Sequence, residues 1–596
     1  RRHVGCEGSS PMIESIEELL KRAVAMHSEG RIDDAANIYE IILARDPENT
    51  DALHLSGLAA QFRGDIEQAL TLIGRAVQLA PDFVQYRSNL GILLQEAGRL
   101  DLALEAFREA IAINRKIPEL FYHLGNALRE AEKPGEALNA FQDAVALKSD
   151  YSEALSNIAV ILRERGEDNL ALVYLERAVK SAAPFPPAYT NLCAAYTDAS
   201  HFEAAIEAGQ VAVELSPEDT AAHFNLGNAF SAAGRPAEAC ASYDEVLALD
   251  ATHEDAWCNL GAARLSEEDA EGAIEAFDRA IGLNDRIADA HWNRALAHLT
   301  LGHFAEGWDG YDWRWEAIPW LEWRQFERPH WHGEALQGRT VLIHAEQGYG
   351  DTLQFVRYLP KIREMGGRVK LACQPALKRL LSDLPGLEGV TGYGEPPGPF
   401  DFHLPIMSLP KVFGLRFEEI EACNSPYLVA SADHSNLVPS DGLSKVGLVW
   451  RGSIINLKGM FRSCRLSDFE GVLKRKDIQF YSLQVDITEQ ERDVLQSYGG
   501  IDLSSQINDF ADSAALTKHM DLILSVDTAQ AHLAGGLGIP VWMLLARGAD
   551  WRWFRYAENS PWYPSMRIFR QTERGNWRIP IGNIENMLDT FFSAGR

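Results

Sequence analysis

Asp351 closes the run Glu346-Gln347-Gly348-Tyr349-Gly350-Asp351, which follows the short apolar stretch VLIHA. A carboxylate just after a glycine turn at a strand end points into the cleft beside the sheet, where it can take a proton from a hydroxyl group. The same side chain also suits a helix N-cap, and the two roles are compatible. A second group follows the apolar run LILSV: Asp527, Thr528 and, four residues after the threonine, His532. A helix starting there offers free N–H groups and a positive dipole to a phosphate, with Thr528 and His532 facing the same ligand. Simple capping by Asp527 and Thr528, with His532 packed against a neighbour, is the plainer alternative. In RGSIINLKGMFRSCRL, Arg451, Lys458, Arg462 and Arg465 form the densest basic cluster of the second half. Such charge can compensate a departing phosphate; a solvated basic loop accounts for Lys458 and Arg465 equally well.

These residues need strand ends to hold them. GRTVLIHAEQGYGDTLQFVRYLPKIREMGGRVKLACQ reads as strand, glycine loop with Gly348 and Gly350, helix, turn and parallel second strand. A second set, VGLVWRGS, QFYSLQ and LILSVDTAQAHLAGGLGIPVWMLLA, starts at Lys445. Two Rossmann-like α/β domains are expected, residues 338–435 and 436–596, the latter ending in a helix. Strand-end position makes Ser482-Leu483-Gln484 and Asp509-Phe510 candidates for base contact.

The first half has a different logic. Small residues recur every 34 positions at Gly57, Gly91, Gly125, Ala159, Cys193, Gly227, Gly261 and Ala295, with a second register from Ala69 to Ala273. Small slots in apolar stretches of helical spacing let helix hairpins approach and stack. The W/Y-x-x-L-G first helix and A-x-x-x-F/Y second helix closely resemble the tetratricopeptide repeat. An all-α superhelix of about eight repeats with a divergent ninth is expected, the array covering 15–303 after a leader at 1–14. Two residues before the small slot lie Asn89, Asn157, Asn191, Asn225, Asn259 and Asn293. In this repeat family that position lines the inner wall, and an amide that donates and accepts can hold an extended peptide backbone; stabilising the packing of repeats is the alternative role. Residues 304–337, with Trp308, Trp313, Trp315, Trp320, Trp323 and Trp331, read as a rigid junction.

A net charge of −29 argues against nucleic acid and anionic membranes as partners. The seven cysteines form no CxxC pair and suggest neither a disulfide framework nor a zinc site. With no long apolar run and no signal-peptide core, a soluble cytoplasmic protein is expected.

The Glu346–Asp351 run and Asp527-Thr528-Ala529-Gln530-Ala531-His532-Leu533-Ala534 together resemble the heptosyltransferase family of GT-B enzymes. More closely, they resemble bacterial proteins that join tetratricopeptide repeats to such a domain, which also carry SPWYPS (Ser560 to Ser565) and the stretch Trp450 to Ser453. The resemblance implies that a nucleotide-sugar donor meets Arg462, Ser463, Asp527, Thr528 and His532 and that Asp351 is the base; Gln484, by its strand-end position, and Lys458, from the basic cluster, are further donor-binding candidates. The aspartate that the family places ahead of Arg462-Ser463 is absent. Inverting, metal-independent transfer of a sugar to Ser or Thr of a polypeptide is implied, without further cofactor. One branch of these proteins modifies flagellin, which makes flagellin a candidate acceptor. The alternative is an adaptor or assembly protein with a degenerate transferase half.

Overall fold

The structure is a computed structural model and describes residues 14–321, 324, 326–420, 426–431, 434–439, 442–452 and 462–594. It divides into two compact units, one ending at Ala233 and the other beginning at Gly234.

The first unit is built of helix hairpins, from Ile16–Ser28 to Thr220–Ala232. Its small slots and its aromatic residues are two halves of one contact. A Cβ on Gly125 would stand 2.5 Å from the ring of Phe141, and the same holds for Gly91 against Phe107. The missing side chain lets a fully buried ring lie flat on the facing helix, and burial of such a ring contributes about 1.5–3 kcal/mol. The small slot recurs every 34 residues and the hairpin with it; at Gly57 the facing side chain is Ile73 in place of a ring.

The second unit opens with further helices of the same kind, Pro236–Leu249, Glu254–Ser266, Ala270–Leu283 and Ala288–Thr300, and a short Phe304–Gly310. Gly261 repeats the glycine–ring contact on Phe277. Two parallel sheets follow. β1 (Thr340–His344), β2 (Arg368–Cys373), β3 (Leu387–Gly392) and β4 (Phe402–Pro405) run in the order β3-β2-β1-β4. β5 (Ser444–Val449), β6 (Ile478–Ser482), β7 (Ile501–Asp502), β8 (Leu522–Val526), β9 (Val541–Leu545) and β10 (Met566–Arg570) run in the order β10-β9-β8-β5-β6-β7. Renumbered from β5, that is the doubly wound order 3-2-1-4-5-6, and the smaller sheet is its 3-2-1-4 portion. β1, β8 and β9 are buried along their whole length. That is why they read as unbroken apolar runs rather than alternating ones.

The tryptophan-rich junction is held from both sides. Trp308 and Trp331 lie in one hydrophobic core with β1, β8 and β9, whereas Trp320 is 69% exposed. Beside them Arg314, with no exposed surface, donates to both Glu346 oxygens at 3.0 and 3.2 Å, to Asp312 at 3.0 Å and to the Ser408 hydroxyl at 2.8 Å. Glu346 also accepts the Met407 N–H at 2.9 Å. Burial works against the Glu346 carboxylate and raises its pKa, while Arg314 opposes that rise. Trp323 and the expected leader, Glu14 apart, lie outside the described residues.

Candidate functional site

The carboxyl ends of both sheets open on one cavity of about 760 Å³. β1 contributes Gln347 to Asp351, β5 Val449, Arg451 and Gly452, β6 Leu483 to Asp486, and β8 Asp527 to Gln530. β8 and β5 are the neighbours at which the order of the larger sheet reverses, the position at which open α/β sheets hold ligands.

The helix after β1 spans Tyr349–Phe355 and has Gly348 at its N-cap in extended conformation, φ −70° and ψ 168°. Asp351 is therefore not the N-cap residue. It sits in the first helical turn, and one of its oxygens accepts the Gly348 N–H at 2.8 Å. The other accepts from Arg552. Gly350 is pressed on the other sheet's helix: a Cβ there would stand 2.8 Å from the His532 ring. Burial raises the Asp351 pKa; Arg552 pulls it down and Asp550 pushes it up again.

Across the cavity, Thr528 is the N-cap of helix Ala529–Gly536, but its hydroxyl makes no capping bond and pairs with the Ser525 hydroxyl at 3.0 Å. Asp527 is buried, which raises its pKa, against the opposing pull of Arg462 at 3.6 Å. His532 lines the same cavity and is hydrogen-bonded through Nδ1 to the Tyr563 hydroxyl at 2.8 Å. Burial, and then Arg552, push its pKa down to about 3, so the ring is neutral at physiological pH. The Gln484 amide brackets the backbone of Arg451, accepting its N–H at 3.0 Å and donating to its carbonyl at 3.1 Å. Ser463 is not among the lining residues; its hydroxyl accepts the Gly452 N–H at 3.1 Å. Lys458 lies outside the described residues. Of the residues singled out for base contact, Leu483, Gln484, Asp509 and Phe510 line the cavity, the Phe510 ring lying 5.1 Å from that of Tyr349.

Arg552, at the centre of the site, lies outside the motifs of the sequence. Its Nε donates to Gln354 at 2.7 Å, one terminal nitrogen to Asp550 at 2.7 Å and the other to Asp351. The available signal is the run Asp550-Trp551-Arg552-Trp553, two opposite charges set among indoles where water is scarce.

The six repeat asparagines are all half-buried. Asn89 pairs with His54 at 2.7 Å, Asn191 donates to the Ser156 hydroxyl at 3.0 Å, Asn225 to the Thr190 carbonyl at 3.3 Å, and Asn157 to Asn126 at 3.1 Å. Each of these four partners lies in the preceding repeat. Asn259 and Asn293 occupy the same position in the second unit.

Among known proteins, the tetratricopeptide repeat family matches residues 54–116, 122–187, 195–254 and 258–307. Protein FlbA of Caulobacter vibrioides is 29% identical over 337 residues, which cover 50% of this chain and 55% of that protein. The chain thus spans about half the length of the curated relative it matches. Solved structures with some likeness include YrrB, described as a tetratricopeptide-repeat protein with an unusual peptide-binding site. It is 25% identical, covering 31% of this chain and 96% of YrrB with a TM-score of 0.29. Another is pilF of Pseudomonas aeruginosa, 18% identical over 35% of this chain and 94% of that one, TM-score 0.32. Among the described residues no helix is long and apolar enough to cross a membrane. The chain therefore contains tetratricopeptide repeats, which bind polypeptides as a class, joined to an α/β region of two parallel sheets.

Proposed function

We propose that this chain is a protein O-glycosyltransferase of the GT-B type, which moves a sugar from a nucleotide-sugar donor to Ser or Thr of a polypeptide held by the repeats. The observation that carries the reading is the single cavity formed by the carboxyl ends of two parallel sheets, with a carboxylate from one and a helix N-terminus with a basic side chain from the other. In this scheme the donor phosphates meet the Ala529 end of the helix and Arg462, with Thr528 alongside. His532, kept neutral by burial, adds a hydrogen-bonding edge without charge. The acceptor hydroxyl approaches Asp351 and gives up its proton to the carboxylate as its oxygen bonds to the anomeric carbon. The sugar–phosphate bond breaks with its electron pair, which stays on the phosphate. A single displacement of this kind inverts the anomeric centre. Flagellin is the candidate acceptor, on the strength of the resemblance to flagellin-modifying relatives.

The test is glycopeptide and intact-protein mass spectrometry of source cells carrying the wild-type chain or Asp351→Asn. Loss of a defined sugar mass from one protein is expected in the variant, with transfer in vitro slowed about 10²–10⁴-fold, the usual worth of general-base catalysis. An unchanged profile, with the variant folded and expressed, overturns Asp351 as base and brings the adaptor reading forward.

A further inference from the structure

We infer that Arg552 is a positioning residue for Asp351: it aims the carboxylate into the cavity and keeps it ionised. The inference rests on the proposed role of Asp351 and asks what such a base requires. Asp351 is enclosed, with 18% of its side chain exposed, and an isolated carboxylate in such a place prefers to hold its proton. A protonated Asp351 accepts no proton from a hydroxyl.

Arg552 fits that requirement by geometry. Its side chain is 8% exposed, and its three outward nitrogens meet three acceptors on different sides, Gln354, Asp550 and Asp351. Three fixed contacts leave the guanidinium no rotational freedom. With one Asp351 oxygen tied to Arg552 and the other to the Gly348 N–H, the carboxylate plane is fixed as well.

The loop that carries Arg552 is itself clamped. Arg547 pairs with Glu267 at 3.0 Å, Gly548 N–H donates to Glu268 at 3.2 Å and Arg555 pairs with Glu271 at 3.1 Å. The Trp551 ring meets Trp308 edge-on at 5.3 Å. The last repeats thereby hold the segment that orients the base. Other charged or titratable groups face Asp351 as well: Asp550 from the same loop, Arg462 beyond β5, Tyr311 from the junction and Glu346 from the end of β1. His532, beside Gly350, stays uncharged. Among them Arg552 is the cation that bonds Asp351 directly.

The experiment reads the protonation of Asp351 without relying on transfer. The full-length chain is treated with a carbodiimide and an amine across a pH series, and labelling of the Asp351 peptide is followed by mass spectrometry, since only the protonated carboxyl reacts readily. Arg552→Gln is expected to move the labelling midpoint upward by about one pH unit or more, as loss of an adjacent opposite charge does. Arg552→Lys is expected to restore most of the wild-type value. Asp550→Asn, which removes a repelling charge, is expected to move the midpoint downward, and it tests the same field should Arg552→Gln not fold. A midpoint unmoved in either Arg552→Gln or Asp550→Asn overturns the inference. Where transfer is measurable, the acid limb of its pH profile follows the labelling midpoint. Shifted labelling in a chain that transfers no sugar keeps the role of Arg552 and discards the proposed reaction.

Discussion

Up to Ala233, no Asp, Glu, Lys or Arg among the described residues is buried, whereas from Gly234 onward Arg314, Arg357, Asp512, Asp527 and Arg552 all are. The sequence carries the opposite bias in total charge. Residues 15–303 hold 47 of the 85 acidic residues but only 23 of the 56 Lys and Arg, so most of the net charge of −29 belongs to the array. The repeats keep their charges in water and hold together by local apolar contacts. The α/β region is nearly balanced but encloses its charges against close partners, at a desolvation cost that only such partners offset: Arg314 and Arg552 face carboxylates, and Arg357 meets the Gln354 and Trp562 carbonyls and the Tyr427 hydroxyl. Many charges in solvent keep an array soluble; of the few charges out of solvent, those that line the cavity, Asp527 and Arg552, are the candidates for handling a ligand or a proton.

Four experiments bear on that contrast. The largest effect is expected from Arg314→Ala, which strands Glu346 in the interior and should cost about 3–5 kcal/mol in denaturant unfolding. The double change Arg314→Met with Glu346→Leu should recover most of the loss, since an apolar pair fills the space without desolvation; no recovery would mean that the pair does more than satisfy itself. In the array the counterpart is steric. Gly125→Val forces Phe141 aside and should cost about 1–3 kcal/mol, read by hydrogen exchange as faster opening of 118–147 while the α/β helices keep their protection. Asn191→Ala, which removes one amide bond to Ser156, should cost about 0.5–1.5 kcal/mol. If it weakens peptide binding well beyond that, the amides do more than pack repeats.

The last is a dependence on pH. Unfolded histidines take up protons near pH 6.5. Folded His54 holds off to about 4 and folded His532 to about 3, both mainly through burial. The unfolded chain then binds more protons in that window, so stability should be level above about pH 6.5 and fall as the pH drops below it. The fall should be steeper in the unit from Gly234 onward, where His344 is also held well below its usual value. A melting temperature that rises on acidification from pH 6.5 to 5 would contradict this assignment.

The repeats are legible because one contact, a small residue against a large buried side chain, imposes one period, and the strands are legible because burial on both faces leaves no room for a polar residue. Asp351, Asp527, Thr528 and His532 can be found from strand ends alone, and the cavity gathers all four. Arg552 and Asp550 escape because their local mark, two opposite charges set among indoles, says nothing of which strand end they will meet. They reach the site only when the chain between β9 and β10 folds back over the end of β1. The Arg314–Glu346 pair is hidden for the same reason, its partners lying 32 residues apart across a junction whose tryptophans draw the attention. The asparagines show the converse limit: their spacing is plain, yet whether an amide turns toward the previous repeat or toward a guest is decided by geometry that spacing does not encode.

The clamp between the last repeats and the β9–β10 loop has an evolutionary consequence. None of the clamp residues lies before Gly234, so hairpins there can be gained, lost or exchanged without changing the clamp. Those carrying Glu267, Glu268 and Glu271 cannot, because they are as much part of the α/β region as its own loops. Relatives are therefore expected to differ in repeat number near the start of the chain and to agree near residue 270, and chimaeras joined at the Ala233–Gly234 boundary should keep the clamp and the cavity of the parent that supplies the second part.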